Sequence, residues 1–521
     1  MTAVAALGAS ALAQIQAVQT ASGASAGSAL PQAAASSQTT PASTTVSIIG
    51  IQAVTPLTYS MPAPQPVWET NAVDGISKAM AQNFPAQTLS GRLQGLGQLM
   101  LQQLGGGQND FSQSVYLPST NAVPSATLAS AMQSALHTGA DNQISLAVTL
   151  RDGAKVQLAL GDQGNGLAAS ITVTGGTLSD ADRSALLKMA GGFQQAIDGL
   201  ASSAQPTLAL DGLVQQYDSN VFASVDLHAS VDATGQGAQT VDFHIDDKQR
   251  SVQTSGPLGA MQISVDTSNA AVLGSASQQA QALNNYLQQF AAAGTRGHGN
   301  AQLIALFSAA FRSLNSHYGA AASRASSQSP VIGDAAHSMM TGLADFSATL
   351  TQAAQSVNAM KPGEVDSYSY QVAQSTIVQS RSRYDYTVTQ TQQSQLHASY
   401  HAPLQAGGSL ALDGGKASQN YYYTQINDSA QSQATISYVN GALAQATLNQ
   451  SASASQRTQK YVMGDLVEDI ATPSRRSWTK NLLDLIDNAQ QNLGSSQATL
   501  SNIHSLIDLP ASPAQLADKI G

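Results

Sequence analysis

Apolar residues fall at helical spacing in some stretches of this chain and at spacing two in others. Leu89, Leu93, Leu96, Met100 and Leu104 predict a helix over 88–104, stopped by Gly105, Gly106 and Gly107. A helix over 74–84 precedes it. A polar linker with Pro118 and Pro124 follows, then a short helix over 126–137. There the period drops to two. Ile144, Leu146, Val148 and Leu150 form one alternating run, Val156, Leu158 and Leu160 a second, and Leu167, Ala169, Ile171 and Val173 a third. These predict a three-stranded antiparallel meander with one buried face.

Parity constrains its first turn. A two-residue Asp152-Gly153 loop would set Leu150 opposite Lys155 and put a charge on the apolar face. An odd loop or a bulge, with Leu150 opposite Val156, keeps that face intact. The helix expected over 178–200 has Ser179 as N-cap and Asp180 and Asp182 near its positive end. Its apolar face is Leu186, Met189, Ala190, Phe193, Ile197 and Leu200.

Further on, Val221 to Val231 alternates along a strand, as do Val241, Phe243 and Ile245, and then Met261, Ile263 and Val265. Folding the first two about Gly235-Gln236-Gly237 sets Val225 against Ile245 and Leu227 against Phe243. On the other face Asp226 meets His244 and His228 meets Asp242, with Asp246 close by. Two His and two Asp on one face suit a divalent metal. They equally suit cross-strand opposite-charge pairs. Three helices are expected next, marked by Leu283, Leu287 and Phe290, by Leu303, Phe307, Phe311 and Leu314, and by Met340, Leu343, Phe346 and Leu350. His298 falls in a flexible Gly-rich linker over 294–300.

Ten of the fifteen tyrosines lie between Tyr368 and Tyr461. Tyr368, Tyr370, Tyr384, Tyr386, Tyr421, Tyr422 and Tyr423 sit in alternating, Gln/Ser/Thr-rich runs. A tyrosine-rich sheet offers contact area with a hydroxyl handle, which fits a protein or glycan partner. It also fits ordinary sheet stabilisation by aromatic pairs. Pro473 and Ser474 are read as the start of a C-terminal helix with Trp478, Leu482, Leu485, Ile486, Ala489 and Leu493 on one face. Arg475-Arg476 belongs to that helix start. A weaker helix follows over 499–507.

Composition changes this picture in three ways. Only 10% of residues are charged and the net charge is -10, which argues against nucleic acid. There is no cysteine, which removes disulfides, thiolate ligands and cysteine nucleophiles. No run reaches the length of a membrane span, so the chain reads as soluble. Residues 1–68 contain no Lys, Arg, Asp, Glu or His. Low complexity over 1–45 predicts disorder, with a first strand at 46–51 and an extended Pro-rich stretch at 56–66. The lack of a positive n-region excludes a standard signal peptide. The segment is then either a plain tail or an uncleaved export signal of a non-Sec bacterial route.

Familiar motifs fail on context. Gly23-Ala24-Ser25-Ala26-Gly27 lies in the low-complexity segment, and Gly164-Asn165-Gly166 joins strand to strand, so neither holds a nucleophile or a pyrophosphate. The expectation is an α+β protein of antiparallel meanders and hairpins with segregated helices. It divides into a disordered segment (1–68), an α+β unit (69–205), strands followed by helices (206–360), a Tyr/Gln/Ser-rich β unit (361–470) and C-terminal helices (471–521). No cofactor is implied. The leading functional expectation is a non-enzymatic bacterial binding or structural protein, exported or at the cell surface. The alternatives are a metal-assisted enzyme using Asp226, His228, Asp242 and His244, and a cytoplasmic structural protein.

Overall fold

The computed structural model describes residues 64–119, 124–204, 206–318, 330, 332–491 and 496–520. Within the compact unit Met61–Gly521, alternating sequences make one antiparallel sheet. Its fifteen strands, counted among the described residues, are β1 (Val67–Trp68), β2 (Phe111–Tyr116), β3 (Asn142–Leu150), β4 (Lys155–Gln163), β5 (Gly166–Thr174), β6 (Phe222–Val231), β7 (Gln239–Asp246), β8 (Gln249–Gly256), β9 (Gly259–Asp266), β10 (Asp345–Gln352), β11 (Ser367–Ser380), β12 (Tyr386–Pro403), β13 (Tyr421–Val439), β14 (Ala442–Val462) and β15 (Asp465–Asn481). In space β1-β2-β5-β4-β3 stand beside β6, and β6 to β15 then follow in chain order. The sheet thus runs through the ranges 69–205, 206–360 and 361–470.

The helices are α1 (Gly75–Asn83), α2 (Leu89–Leu93), α3 (Leu96–Gly105), α4 (Ala126–Thr138), α5 (Asp180–Leu200), α6 (Asp211–Gln216), α7 (Ala276–Gly297), α8 (Ala301–Leu314), α9 (Asp334–His337), α10 (Leu483–Gln491), α11 (Ser496–Leu506) and α12 (Pro513–Ile520). Ser179 caps α5 in a reciprocal capping box with Asp182. The main core forms where Phe193 and Ile197 of α5, Tyr286 and Phe290 of α7, and Phe307 and Phe311 of α8 meet strand residues such as Leu158, Leu227, Phe243 and Phe346. Only α4 of these helices clearly packs on the other side. Its Leu136 meets Tyr116 and Ala168 in a separate small cluster over β2, β4 and β5. Among the described residues no helix covers that second side from β3 onward, but at one end of β13 and β14 Leu410 and Leu412 cover a small cluster of Tyr421, Tyr423 and Tyr461 on it.

Parity holds at the first turn: the loop is residues 151–153, with Gly153 at φ 97°. It is shorter than the expected pairing implied. Val156 therefore faces Val148, while Leu150 N–H donates to Ala154 O. Longer hairpins turn at Asn440-Gly441 and Met463-Gly464, where both residues have positive φ, the two-residue geometry that matches strand twist.

Several expectations are corrected. The helix over 88–104 breaks at Gly95, whose φ is 72°. The break seats Gly97 directly against Phe193 and Ile197, where a β-carbon would lie 2.4 Å from Ile197 Cδ1. The linker before Pro118 contains β2, and β8 was missed because its covered face is Arg250, Val252 and Thr254. The third expected helix is strand β10: Phe346, Ala348 and Leu350 are buried and alternate with polar residues. A spacing of four satisfies both periods, which is why Phe346 and Leu350 misled. The same coincidence joined Trp478 to Leu482. In fact β15 runs through Pro473 to Asn481, Arg475-Arg476 lie on that strand, and helix begins at Leu483. α7 extends through the expected linker to Gly297, and His298 ends it in the left-handed region. The N-terminal disorder, export segment and strand at 46–51 fall outside the described residues. Val67 and Trp68, placed in that segment, pair with Tyr116 and Val115.

Candidate functional site

The β6–β7 register places the Asp/His residues as the alternation requires: Val225 opposes Ile245, Leu227 opposes Phe243, Asp226 opposes His244 and His228 opposes Asp242. Apolar members point into the core and the four polar ones onto the bare side. His228 Nδ1 lies 2.6 Å from Asp242 Oδ1, and His244 Nδ1 lies 2.6 Å from Asp226 Oδ1. His244 Nε2 also reaches Asp246 Oδ2 at 3.4 Å. Partial burial alone would lower the His244 pKa, but Asp226 and Asp246 outweigh it and raise it. Asp246 is held below the usual carboxylate range, against its own burial, by the Lys248 and Gln249 amides and by His244.

This is the geometry of cross-strand pairs. Asp226, His228, Asp242 and His244 form two separate couples, each imidazole tied to its own carboxylate. Among the described residues no three His, Asp or Glu side chains are placed to hold a metal ion. What the four residues do line is a shallow concavity of about 290 Å³, shared with Ser145, Gln249, Ser251, Gln253, Gln262 and Ser264.

That concavity is one end of a larger feature. From Asp226 and His244 an in-register row of side chains continues through Ser251, Ser264 and Ser347. The row goes on through Ala373, Gln393, Gln431, Ser451 and Ser477. A second row starts at His228 and Asp242 and continues through Gln253, Gln262, Thr349 and Gln371. It ends through Gln395, Ser429 and Ser453 at Arg475. At the usual strand spacing the rows extend roughly 45 Å. Apart from Ala373 they are hydroxyls and carboxamides, with acid and imidazole at one end and a single guanidinium at the other. Neither row contains a Phe, Tyr, Trp or large aliphatic residue.

The tyrosines lie off these two rows, although Tyr421 and Tyr423 share their side of the sheet at the far end of β13. Tyr368, Tyr370, Tyr386, Tyr421 and Tyr423, expected to meet a partner, are buried. Tyr370 packs 5.8 Å from Phe290, Tyr386 stacks on Tyr438 at 5.0 Å, and Tyr421 stacks on Tyr461 at 4.8 Å. Of the seven tyrosines expected to meet a partner, Tyr384, 63% exposed near the β11–β12 turn, and the half-buried Tyr422 reach solvent.

A titratable cluster that the sequence did not reveal surrounds Tyr421. His401, fully buried, has Nδ1 2.6 Å from Asp366 Oδ1 and Nε2 3.3 Å from Glu364 Oε2. The Tyr421 hydroxyl donates to Glu364 Oε2 at 2.7 Å, and Lys361 lies 3.2 Å over the Tyr461 ring. Burial and the Glu364 carboxylate push the Tyr421 hydroxyl pKa well up. Both His401 nitrogens are occupied, so the cluster ties the loop before β11 to β12 and β13. A second concavity, about 370 Å³, lies on the helix side among α7, α12 and the long strands, walled by alanines and the Arg296–Asp428 ion pair.

No protein-family model, curated protein or solved structure matches this chain.

Proposed function

We propose that the chain is a non-catalytic binding protein whose bare sheet face holds a neutral, hydroxyl-rich polymer, a glycan, anchored in the Asp/His concavity. The observation that carries this reading is the pair of in-register Ser, Thr and Gln rows. Carboxamides, hydroxyls, carboxylates and imidazoles together supply both donors and acceptors to sugar hydroxyls. A protein partner would call for aromatic, Met or Arg anchors at the centre of the face, and the rows offer one terminal arginine. Nucleic acid would call for clustered cations. The absence of cysteine and the charge-free residues 1–68 favour an exported protein, and deleting residues 1–63 should abolish export while leaving the melting temperature unchanged.

The test is an array of immobilised neutral glycans, probed with the full chain and with Asp226→Ala/Asp242→Ala. The expected result is binding to at least one neutral glycan, weakened tenfold or more in the variant. Binding to none of them, or equal binding by both proteins, overturns the proposal.

A further inference from the structure

β15 closes one end of the sheet, and its outer edge pairs with nothing among the described residues. Nearly every side chain along it is exposed, on both faces of the strand. Leu466, Val467 and Ile470 are each about half exposed, with Met463 beside them in the turn. A long strand of this kind is a ready template for another strand.

The charges on this strand are ordered. Asp465, Glu468 and Asp469 occupy its first part, and Arg475, Arg476 and Lys480 its last part. An antiparallel second copy reverses that order and sets acid against base. We infer that two copies of the chain pair edge to edge through β15, about a two-fold axis at Thr472.

Backbone orientation selects the register. The Ser455 amide of β14 turns to Asp428 of β13, away from its β15 partner Pro473. The alternation of an antiparallel ladder then turns Pro473 and the other odd-numbered positions from Asp469 to Asn481 to the free edge, the strand being bulged before Glu468. Hydrogen-bonded pairs between two copies must therefore join odd to odd. With the axis at Thr472, Asp469 meets Arg475 and Glu468 meets Arg476, twice each by symmetry. Moving the axis by one residue either way loses all of these pairs. Asp469 already receives Arg457 of its own strand pair at 2.6 Å, so its carboxylate would lie between two guanidinia on the bare face. Among the described residues Glu468, Arg475 and Arg476 have no ion-pair partner. Pro473 offers no N–H at the edge, so the ladder lacks one bond on each side of the axis. The same gap disfavours pairing with an arbitrary strand.

This inference is independent of the glycan reading, because it concerns the edge and not the face. The test is the solution mass of the full chain by sedimentation equilibrium, alongside Glu468→Arg/Asp469→Arg and Arg475→Glu/Arg476→Glu. All the substituted side chains are exposed, and circular dichroism checks that each variant folds. The expected wild-type mass is twice the 53.5 kDa of the chain. Each charge-reversed variant should dissociate at least tenfold more readily, and an equimolar mixture of the two should recover the dimer. A monomeric wild type at 100-micromolar scale overturns the inference. So does a dimer that both variants retain, or a mixture that stays monomeric.

Discussion

The covered side of the sheet is built in two different ways. Between β3 and β10 it consists mostly of Ile, Leu, Val, Phe and Met, including Leu146, Leu227, Phe243 and Ile263, packed under α5, α7 and α8. Between β11 and β15 it consists largely of Tyr, Gln and Ala. There Gln374, Gln390, Gln392 and Gln450 are buried. Gln450 Nε2 donates to Leu506 O and Asp508 O at 3.0 and 2.9 Å, and its Oε1 accepts from Trp478 Nε1 at 3.1 Å. Gln392 Nε2 donates to Ile507 O at 2.9 Å, while its Oε1 accepts from the Tyr286 hydroxyl at 3.0 Å. The first half is held by burial, which is non-directional. The second also depends on carboxamides that satisfy the carbonyls at the end of α11, and such bonds fail wholly when one partner is lost.

The largest effect should come from the aliphatic half. Phe243→Ala is expected to destabilise by about 3–5 kcal/mol, the range for a buried phenylalanine, as measured by denaturant unfolding. Gln450→Leu keeps the volume but removes the acceptor of the Trp478 indole N–H and leaves the Leu506 and Asp508 carbonyls with Lys519 as their side-chain donor. It should cost about 1–3 kcal/mol, with faster hydrogen exchange in α11 than in α8. Equal exchange in the two helices would erase the proposed distinction.

A pH-dependent difference sharpens the comparison further. His504 is buried, with only the Gln278 and Met340 backbone near its ring, and among the described residues His337 Nδ1 has no hydrogen-bond partner. Burial lowers both pKa values. The unfolded chain therefore takes up protons first, so their contribution is present above the ordinary imidazole pKa and is lost as pH falls below it. Nearby Asp508, pushed up to about 6 by burial, acts oppositely: its contribution declines as pH rises from the usual carboxylate value through about 6. Melting temperatures at pH 7.5 and 5.5 should show a smaller acid-side loss in His504→Phe than in the wild type. The smallest effect belongs to the bare face. Asp226→Asn weakens one partly exposed pair and should change stability by only about 0.2–1 kcal/mol.

The same contrast explains what the sequence made legible. Period-two alternation of Ile, Leu and Val located β3 to β7 and β9, and parity alone set the Asp226–His244 and His228–Asp242 pairs. Those inferences needed only side-chain period. In β8 the buried Arg250 looks like a surface residue. Its guanidinium donates to Leu314 O at 3.0 Å and His317 O at 2.9 Å, carbonyls more than sixty residues away. Likewise, nothing near Gln450 in the chain indicates that α11 ends above it. The bare rows were hidden for a related reason. Serines and glutamines at alternate positions look like generic solubility until ten strands are aligned in register. His401, Asp366 and Glu364 were passed over because their convergence depends on the pairing of β11 with β12.

The most direct test of the bare face as a binding surface is chemical footprinting of carboxylates and imidazoles, with and without the tightest glycan from the array. His228 and Asp242 are both more than half exposed, and His317 is an exposed control away from the concavity. The account predicts that ligand protects Asp226, His228, Asp242 and His244 from labelling while His317 reacts unchanged. Labelling of the four residues that ignores the ligand, with protection appearing on the helix side instead, would contradict it.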